Sequence, residues 1–214
     1  MKGYDDQTII ACSSGLVTCA ISIIRISGKN FFPEIQEFFS KNLQTLEPRK
    51  ANFCTIKSRE KVLDEVVIVW FKGPNSYNGE DVLEISAHGN PLNISRIIDL
   101  FKSTGVIRDA MPGEFSLRAV NNNKLSLSQV EGLDLLLNAN SIFGLDQGYS
   151  VLSGRLKEQF EELYASYMDH RSSMELGFDF LEDIGEEQFD KKLKSSFLRL
   201  KNIIQSLNSH IADQ

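Results

Sequence analysis

The chain has 214 residues, 42% of them apolar, and a formal net charge of −6. Its apolar content supports a real core and excludes a disordered chain, and its length fits one large domain or two small ones. The acidic balance argues against a nucleic-acid surface made by this chain alone and leaves room only for a local basic patch. No apolar run approaches the ~18 residues of a membrane span. The opening Met-Lys-Gly-Tyr-Asp-Asp lacks the shape of a signal peptide, so a cytoplasmic protein is expected. The three cysteines, Cys12, Cys19 and Cys54, are odd in number and have no metal spacing. They read as reduced, partly buried thiols, and no nearby base marks Cys12 or Cys19 as a nucleophile.

In chain order, residues 19–26 (Cys-Ala-Ile-Ser-Ile-Ile-Arg-Ile) read as a strand with apolar residues on both faces, hence a central one. Residues 31–40 read as a short helix. Residues 51–57 and 63–71 form a hairpin pattern across a charged Ser-Arg-Glu-Lys turn. Pro74-Asn75-Ser76 and Asn78-Gly79 mark a turn-rich loop. Residues 82–88 alternate, which puts Glu84 and His88 on one face and Leu83, Ile85 and Ala87 on the other. Asn90-Pro91 fits the cap and first position of a helix, Gly105 its C′ residue, and Val106 to Ala110 one more strand. Mixed strands and helices in this order predict an α+β fold.

Residues 112–131 are the densest stretch of special residues. A Pro-Gly turn, a short amphipathic piece, a polar Asn121-Asn122-Asn123-Lys124 loop and two overlapping capping-box patterns, Ser126…Gln129 and Ser128…Glu131, follow one another. Glu114, Arg118 and Lys124 therefore read as charges placed on a loop between helical pieces, where binding chemistry tends to sit.

Beyond residue 124 the pattern is helical throughout. Leu145, Tyr149, Leu152, Leu156, Phe160, Leu163 and Tyr167 form one apolar stripe, and Phe189, Leu193, Phe197, Leu200, Ile204, Leu207 and Ile211 a second. A reversal around Asp183-Ile184-Gly185 makes them an antiparallel hairpin. Such a pair buries one face of each helix and needs further helices, expected from a later part of a longer chain or from another subunit. The acids Glu182, Asp183, Glu186 and Glu187 read as a solvated loop and helix start. His88 reads as a turn-stabilising residue, with acid/base chemistry as the competing role, and His170 and His210 as surface residues.

Several blocks carry a resemblance. Gly73-Pro-Asn-Ser-Tyr-Asn-Gly-Glu-Asp-Val-Leu-Glu-Ile-Ser-Ala-His-Gly89 resembles the G-P-x-S-[YF]-T-G-E-D-V-x-E-x-x-x-H-G block of the MnmE (TrmE) family of tRNA modification GTPases. Ile24-Arg-Ile-Ser-Gly28, Pro112-Gly-Glu-Phe-Ser-x-Arg-Ala119 and Asn123-Lys-Leu-x-Leu-x-Gln-x-Glu131 are similar to three further blocks in the family's order. Leu152-x-Gly154 and Asp179-Phe180 fall where its helical region has L-x-G and D-F.

The resemblance implies a tetrahydrofolate-binding, dimerising domain over 1–120 and the first part of a helical domain over 121–214. It implies a tetrahydrofolate derivative as cofactor (5-formyl- or 5,10-methylene-tetrahydrofolate), a homodimer, an MnmG (GidA)-like flavoprotein partner, no membrane, and a role in modifying the wobble uridine of tRNA at carbon 5. The family's folate contacts match Arg25, Glu84 and Lys124; no catalytic residue and no metal ligand is carried over. GTP, potassium and magnesium belong to a GTPase domain that this sequence does not contain. The only Gly-Lys pair, Gly28-Lys29, is followed by Asn30, whereas a P-loop requires Ser or Thr there and an earlier glycine.

The chemistry of the three residues agrees in part. A carboxylate matches the paired donors of a reduced pterin ring, and Arg or Lys suits the carboxylates of a folate tail. Arg25, set among isoleucines, needs either a ligand or an acid such as Glu84. The structural alternative is a plain Arg25–Glu84 ion pair with a solvated Lys124. One departure stands out: Ser13-Ser-Gly-Leu-Val-Thr-Cys-Ala20 replaces the family's A-T-P-P-G-R-G-G loop. That change favours the competing reading of a degenerate interaction module that does not bind folate. A stand-alone folate-dependent aminomethyltransferase is the third reading.

Overall fold

The computed structural model describes the backbone of residues 6–212, and the side chains of all of these except 156, 176–184, 186, 207 and 209–212. The expectations for the first five residues, and for the side chains of Leu156, Asp179, Phe180, Glu182, Asp183, Glu186, Leu207, His210 and Ile211, lie outside the described residues. The chain divides into two compact units, Met1–Leu125 and Ser126–Gln214. Strands and helices mix in the first and helices alone build the second, which gives the α+β class.

The first unit is a six-stranded sheet in the order β3-β4-β5-β2-β1-β6. Its strands are β1 (Thr8–Cys12), β2 (Ile21–Gly28), β3 (Asn52–Ser58), β4 (Lys61–Phe71), β5 (Asp81–His88) and β6 (Ile107–Asp109). The β1–β6 pair is parallel and the other pairs are antiparallel. Strand β2 is central, as its isoleucines predict, but its two faces differ. Ile24 and Ile26 are fully buried in the core, whereas Ile21 on the other face is exposed.

The core lies on the Ile24 face. Helix α2 (Pro91–Lys102) covers it with Ile94, Ile97 and Phe101, an i, i+3, i+7 stripe. Each such buried side chain contributes about 1.5–3 kcal/mol relative to exposure. Asn90 caps α2 through its side-chain oxygen and Pro91 opens it, as expected. The expected C′ glycine is displaced: the C-cap is Ser103, so Gly105 (φ 77°) follows one residue later than predicted and turns the chain into β6. The short helix expected over 31–40 is α1 (Phe32–Ile35) followed by a tight 3₁₀ turn, Gln36–Phe38. It brings Phe38 and Phe39 against Phe101, with ring centroids 5.9 and 5.7 Å away.

Helix α3 (Glu114–Asn121) corrects the loop reading of residues 112–124. Glu114 and Arg118 lie one helical turn apart on a buried face; only Asn122 to Lys124 and the turn before Gly113 remain irregular.

The second unit contains α4 (Leu127–Asn138), α5 (Ile142–Leu152), α6 (Arg155–Ile184) and α7 (Glu186–Ala212). One capping box forms, Ser126 with Gln129, and it leaves Ser128 inside the helix, so the Ser128…Glu131 box does not form. Gly132 and Gly148 let α4 and α5 touch backbone to backbone. A Cβ at either position would lie 2.5 Å from a backbone nitrogen of the other helix, Leu152 N or Leu136 N. The first apolar stripe is interrupted at Gly154 (φ 81°), where α5 ends and α6 begins. Helices α6 and α7 reverse at Gly185 and pack together, but the stripes are not their closed seam. Ser166, Ser173 and Ser196 are buried, whereas Phe160, Tyr167 and Phe197 are each more than half exposed. Small serines let two helices approach, and larger side chains are left beside the contact, where Phe160 and Tyr167 line a groove with Leu163, Leu200 and Ile204. His170 is half-buried rather than a surface residue: its Nδ1 meets Ser196 Oγ at 2.9 Å and its ring lies against Phe197. Among the described residues no helix is long and apolar enough to cross a membrane.

Candidate functional site

The sheet face opposite the core carries the candidate site. Strand register makes Arg25 the direct cross-strand partner of Glu84, and the row continues to Ala11 on one side and Val69 on the other. Arg25 Nε donates to Glu84 Oε1 at 2.7 Å, with the two side chains 36% and 24% exposed. Among the described residues nothing else bonds to Glu84 Oε2 or to the terminal nitrogens of Arg25. The pair therefore retains an acceptor oxygen and a fork of donors, which a heterocycle with its own donors and acceptors can use.

The pair lines a cleft of about 210 Å³. Val82, Phe71, Tyr77 and Phe115 supply apolar and aromatic walls, and Arg49, Asn75 and Ser76 the polar rim. Each wall has a structural origin. Phe71 and Val82 are cross-strand partners on the Glu84 face. Phe115 comes from the first turn of α3, and a contact of 2.9 Å between Tyr77 Oη and Ser116 Oγ ties the 73–80 loop to that helix.

Lys124 is placed differently. It is exposed, its N–H donates to the Ala119 carbonyl at 2.8 Å, and its aliphatic stem lies by Gly79, where a Cβ would come within 3.4 Å of Lys124 Cε. The structure thus brings Arg25 and Glu84 together and keeps Lys124 outside the residues that line the cleft.

Below the cleft a sealed charge network holds the loop and α3 in place. Glu114 accepts a two-pronged interaction from Arg108, at 2.8 and 2.7 Å, and further bonds from Arg118 and from Met111 N–H. Arg118 also reaches both oxygens of Glu80, at 3.2 and 3.1 Å, and the carbonyl of Gln7. Ser27 and Asn78 donate to Glu80, and Asn122 to the Asn78 carbonyl. Glu114 and Arg118 are 1% and 4% exposed. The hydrogen bonds from Arg108 outweigh the opposing effect of burial and, with Met111 N–H and Arg118, hold the Glu114 carboxyl down at about 2. Glu80, Glu114 and Arg118 position the site by bonding to one another rather than to the cleft.

His88 ends β5 and ties it to the neighbouring strand. Its backbone N–H and Nδ1 both meet Asp64, at 2.9 and 2.6 Å, and Asn93 donates to the same carboxylate, joining β4, β5 and α2. Burial pushes the Asp64 carboxyl up, but the bonds from His88, Asn93 and the Glu65 N–H together leave it lowered. The Asp64 hydrogen bond raises the His88 imidazole. Of the thiols, Cys54 is buried and pushed up to about 11 by that burial, against the pull of Lys41, while Cys19 is exposed rather than partly buried. The altered 13–20 segment is irregular, tied to the start of β2 through Ser13 and Ser14, and it exposes Leu16 and Val17.

Sequence reasoning missed Arg49. Nothing in Pro48-Arg49-Lys50 marks it, because β4 holds it in place: Arg49 N–H donates to the Trp70 carbonyl at 2.7 Å.

Comparison with known proteins gives the family. Residues 8–124 match the family described as GTP-binding protein TrmE N-terminus. The chain is 34% identical over 206 residues to the tRNA modification GTPase MnmE of Francisella tularensis subsp. holarctica (strain LVS), covering 96% of this chain and 45% of that protein. It is 32% identical over 208 residues to the MnmE of Pseudothermotoga lettingae, covering 96% of this chain and 46% of the relative. The chain thus spans about half the length of the curated relatives it matches. With the matched region taking in the whole sheet, the cleft and α3, this chain belongs to the TrmE (MnmE) family and corresponds to its N-terminal part.

Proposed function

We propose that this chain binds a tetrahydrofolate one-carbon donor, 5-formyl- or 5,10-methylene-tetrahydrofolate, and dimerises as the N-terminal part of a tRNA-modifying system. The observation that carries the reading is the Arg25–Glu84 pair opening into a cleft with aromatic walls. Glu84 Oε2 suits the amino and ring N–H donors of a pterin, and the Arg25 fork suits its carbonyl side. The cleft volume fits a bicyclic ring rather than a whole folate, since pockets that enclose drug-sized ligands run to roughly 300–1,000 Å³. Lys124 takes part only at the outer end of the ligand, beyond the cleft lining.

In this reading the assembled system is cytoplasmic, acts on the wobble uridine of tRNA at carbon 5, and works with an MnmG-like flavoprotein. GTP, potassium and magnesium would be handled by a GTPase domain outside this sequence. The half-open stripes of α6 and α7 await a further helix from such a longer chain or from another subunit.

Calorimetric titration of the protein with 5-formyl-tetrahydrofolate is the direct test. Saturable binding that is lost in both Arg25→Ala and Glu84→Gln supports the reading; absence of binding by the folded protein overturns it. The second reading, an interaction module, is favoured by the exposed Leu16 and Val17 in the altered segment. It gains ground if folate fails to bind.

A further inference from the structure

Three charged side chains line the cleft, and they are not equivalent. Arg25 and Glu84 neutralise each other at 2.7 Å. Arg49 has no such partner: no described carboxylate lies within ion-pair reach, and Glu47, two residues before it, is occupied by Lys50 at 3.0 Å. The cleft therefore carries one uncompensated positive charge.

That charge is also held in place. Arg49 adopts φ 63°, a left-handed conformation uncommon for a residue with a side chain. Its N–H is fixed to Trp70 O at 2.7 Å and one terminal nitrogen donates to the Asn75 carbonyl at 2.9 Å. Backbone strain that the surroundings impose on a non-glycine residue is a known companion of binding sites. Here it aims a guanidinium at the rim of the cleft while leaving most of its donors unused.

We infer that Arg49 is the anion anchor of this cleft, gripping the carboxylate-bearing tail of a ligand whose ring system lies on the Arg25–Glu84 pair. The inference rests on the folate reading and extends it to specificity. The cleft is too small for more than the ring, so the tail must leave across the rim, where Arg49 waits. A guanidinium offers a carboxylate two parallel hydrogen bonds, which a solvated lysine does not. Ligands with an anionic tail, and more so those with several carboxylates, are preferred over tail-less pterins.

The test compares wild type with Arg49→Asn and Arg49→Lys, Asn being chosen because it tolerates the left-handed backbone. Each is titrated at two salt concentrations with 5-formyl-tetrahydrofolate, its triglutamate form, and a tail-less tetrahydropterin. Arg49→Asn is expected to bind the two tailed ligands about tenfold to a hundredfold more weakly. It is expected to lose part of the salt dependence and to bind the tetrahydropterin as wild type does. Arg49→Lys is expected to fall between, with the two-pronged contact gone and the charge retained. Unchanged affinity of a folded Arg49→Asn for the tailed ligands overturns the role of Arg49 and leaves the folate reading intact. Equal loss for tailed and tail-less ligands, by assigning Arg49 to the shape of the cleft, overturns it too. Failure of wild type to bind any of the three overturns both.

Discussion

Two charge systems share the same sheet face and teach different lessons. Glu114, Arg118, Arg108 and Glu80 form a sealed network in which both Glu114 oxygens are engaged and the central groups are shut off from water. Arg25 and Glu84 form one hydrogen bond and remain open. The residue types are the same and the distances similar. What separates the sealed ion pairs from the open one here is how many donors and acceptors the fold has already used. A sealed network loses far more when one member is removed, because its partner is left charged and buried. The open pair can be broken with little harm to the fold, because water reaches it.

The sharpest way to break this contrast is Arg118→Ala. It leaves Glu80 without its guanidinium in the buried network, while Glu114 keeps only Arg108 and the Met111 N–H, and should cost about 3–5 kcal/mol in urea unfolding. A loss below about 1 kcal/mol would mean the network is not sealed. Next in size is acid sensitivity. The Glu114 carboxyl is depressed from the ordinary 4.5 to about 2, so its stabilisation is complete above roughly pH 4.5 and fades as the pH falls toward 2. The loss should approach roughly 3 kcal/mol, measured as urea midpoint against pH. Arg108→Gln removes the largest cause of the depression, so most of that acid-labile stability should vanish in it.

The open pair sets the other end of the scale. Glu84→Gln should shift unfolding by less than about 1 kcal/mol while weakening 5-formyl-tetrahydrofolate binding at least tenfold, about 1.4 kcal/mol or more. A large stability loss without an affinity change would place Glu84 with the sealed group. The smallest effect concerns His88, where the expectation is a direction alone. Its imidazole is raised by Asp64, so the charged pair supports the fold below the ordinary histidine value and its contribution disappears as the pH rises through the raised one. NMR titration should give a midpoint above 6.5 that drops in Asp64→Asn.

The two units differ in how much of their packing was legible. In the helical unit the sequence marked three features correctly: the helices, the reversal at Gly185 and the Ser126–Gln129 box. It misplaced the seam, because apolar residues of helical period announce a buried face without saying what buries it. Ser166, Ser173 and Ser196 carry no hydrophobic signal, yet their small size is what lets them lie buried. The same holds at Gly132 and Gly148, whose importance is a distance between two backbones, invisible in either helix alone.

By itself the sequence determined the α+β class, the central strand with Arg25, the alternation that turns Glu84 away from Leu83 and Ile85, the Asn90-Pro91 helix start and the family resemblance. All of these are local: they depend on residues within one strand or one turn, whose periodicity and backbone preference are fixed by covalent neighbours. The tertiary structure decided which charges meet. It took Glu114 and Arg118 out of the supposed loop and closed them over Glu80, 38 residues from Arg118 in the chain. It set Arg25 opposite Glu84 by strand register across 59 residues, left Lys124 outside the cleft lining, and brought Arg49 to the rim through a hydrogen bond to β4. Pairing of this kind depends on distance and burial after the chain has folded, and neither quantity is written in the order of the residues.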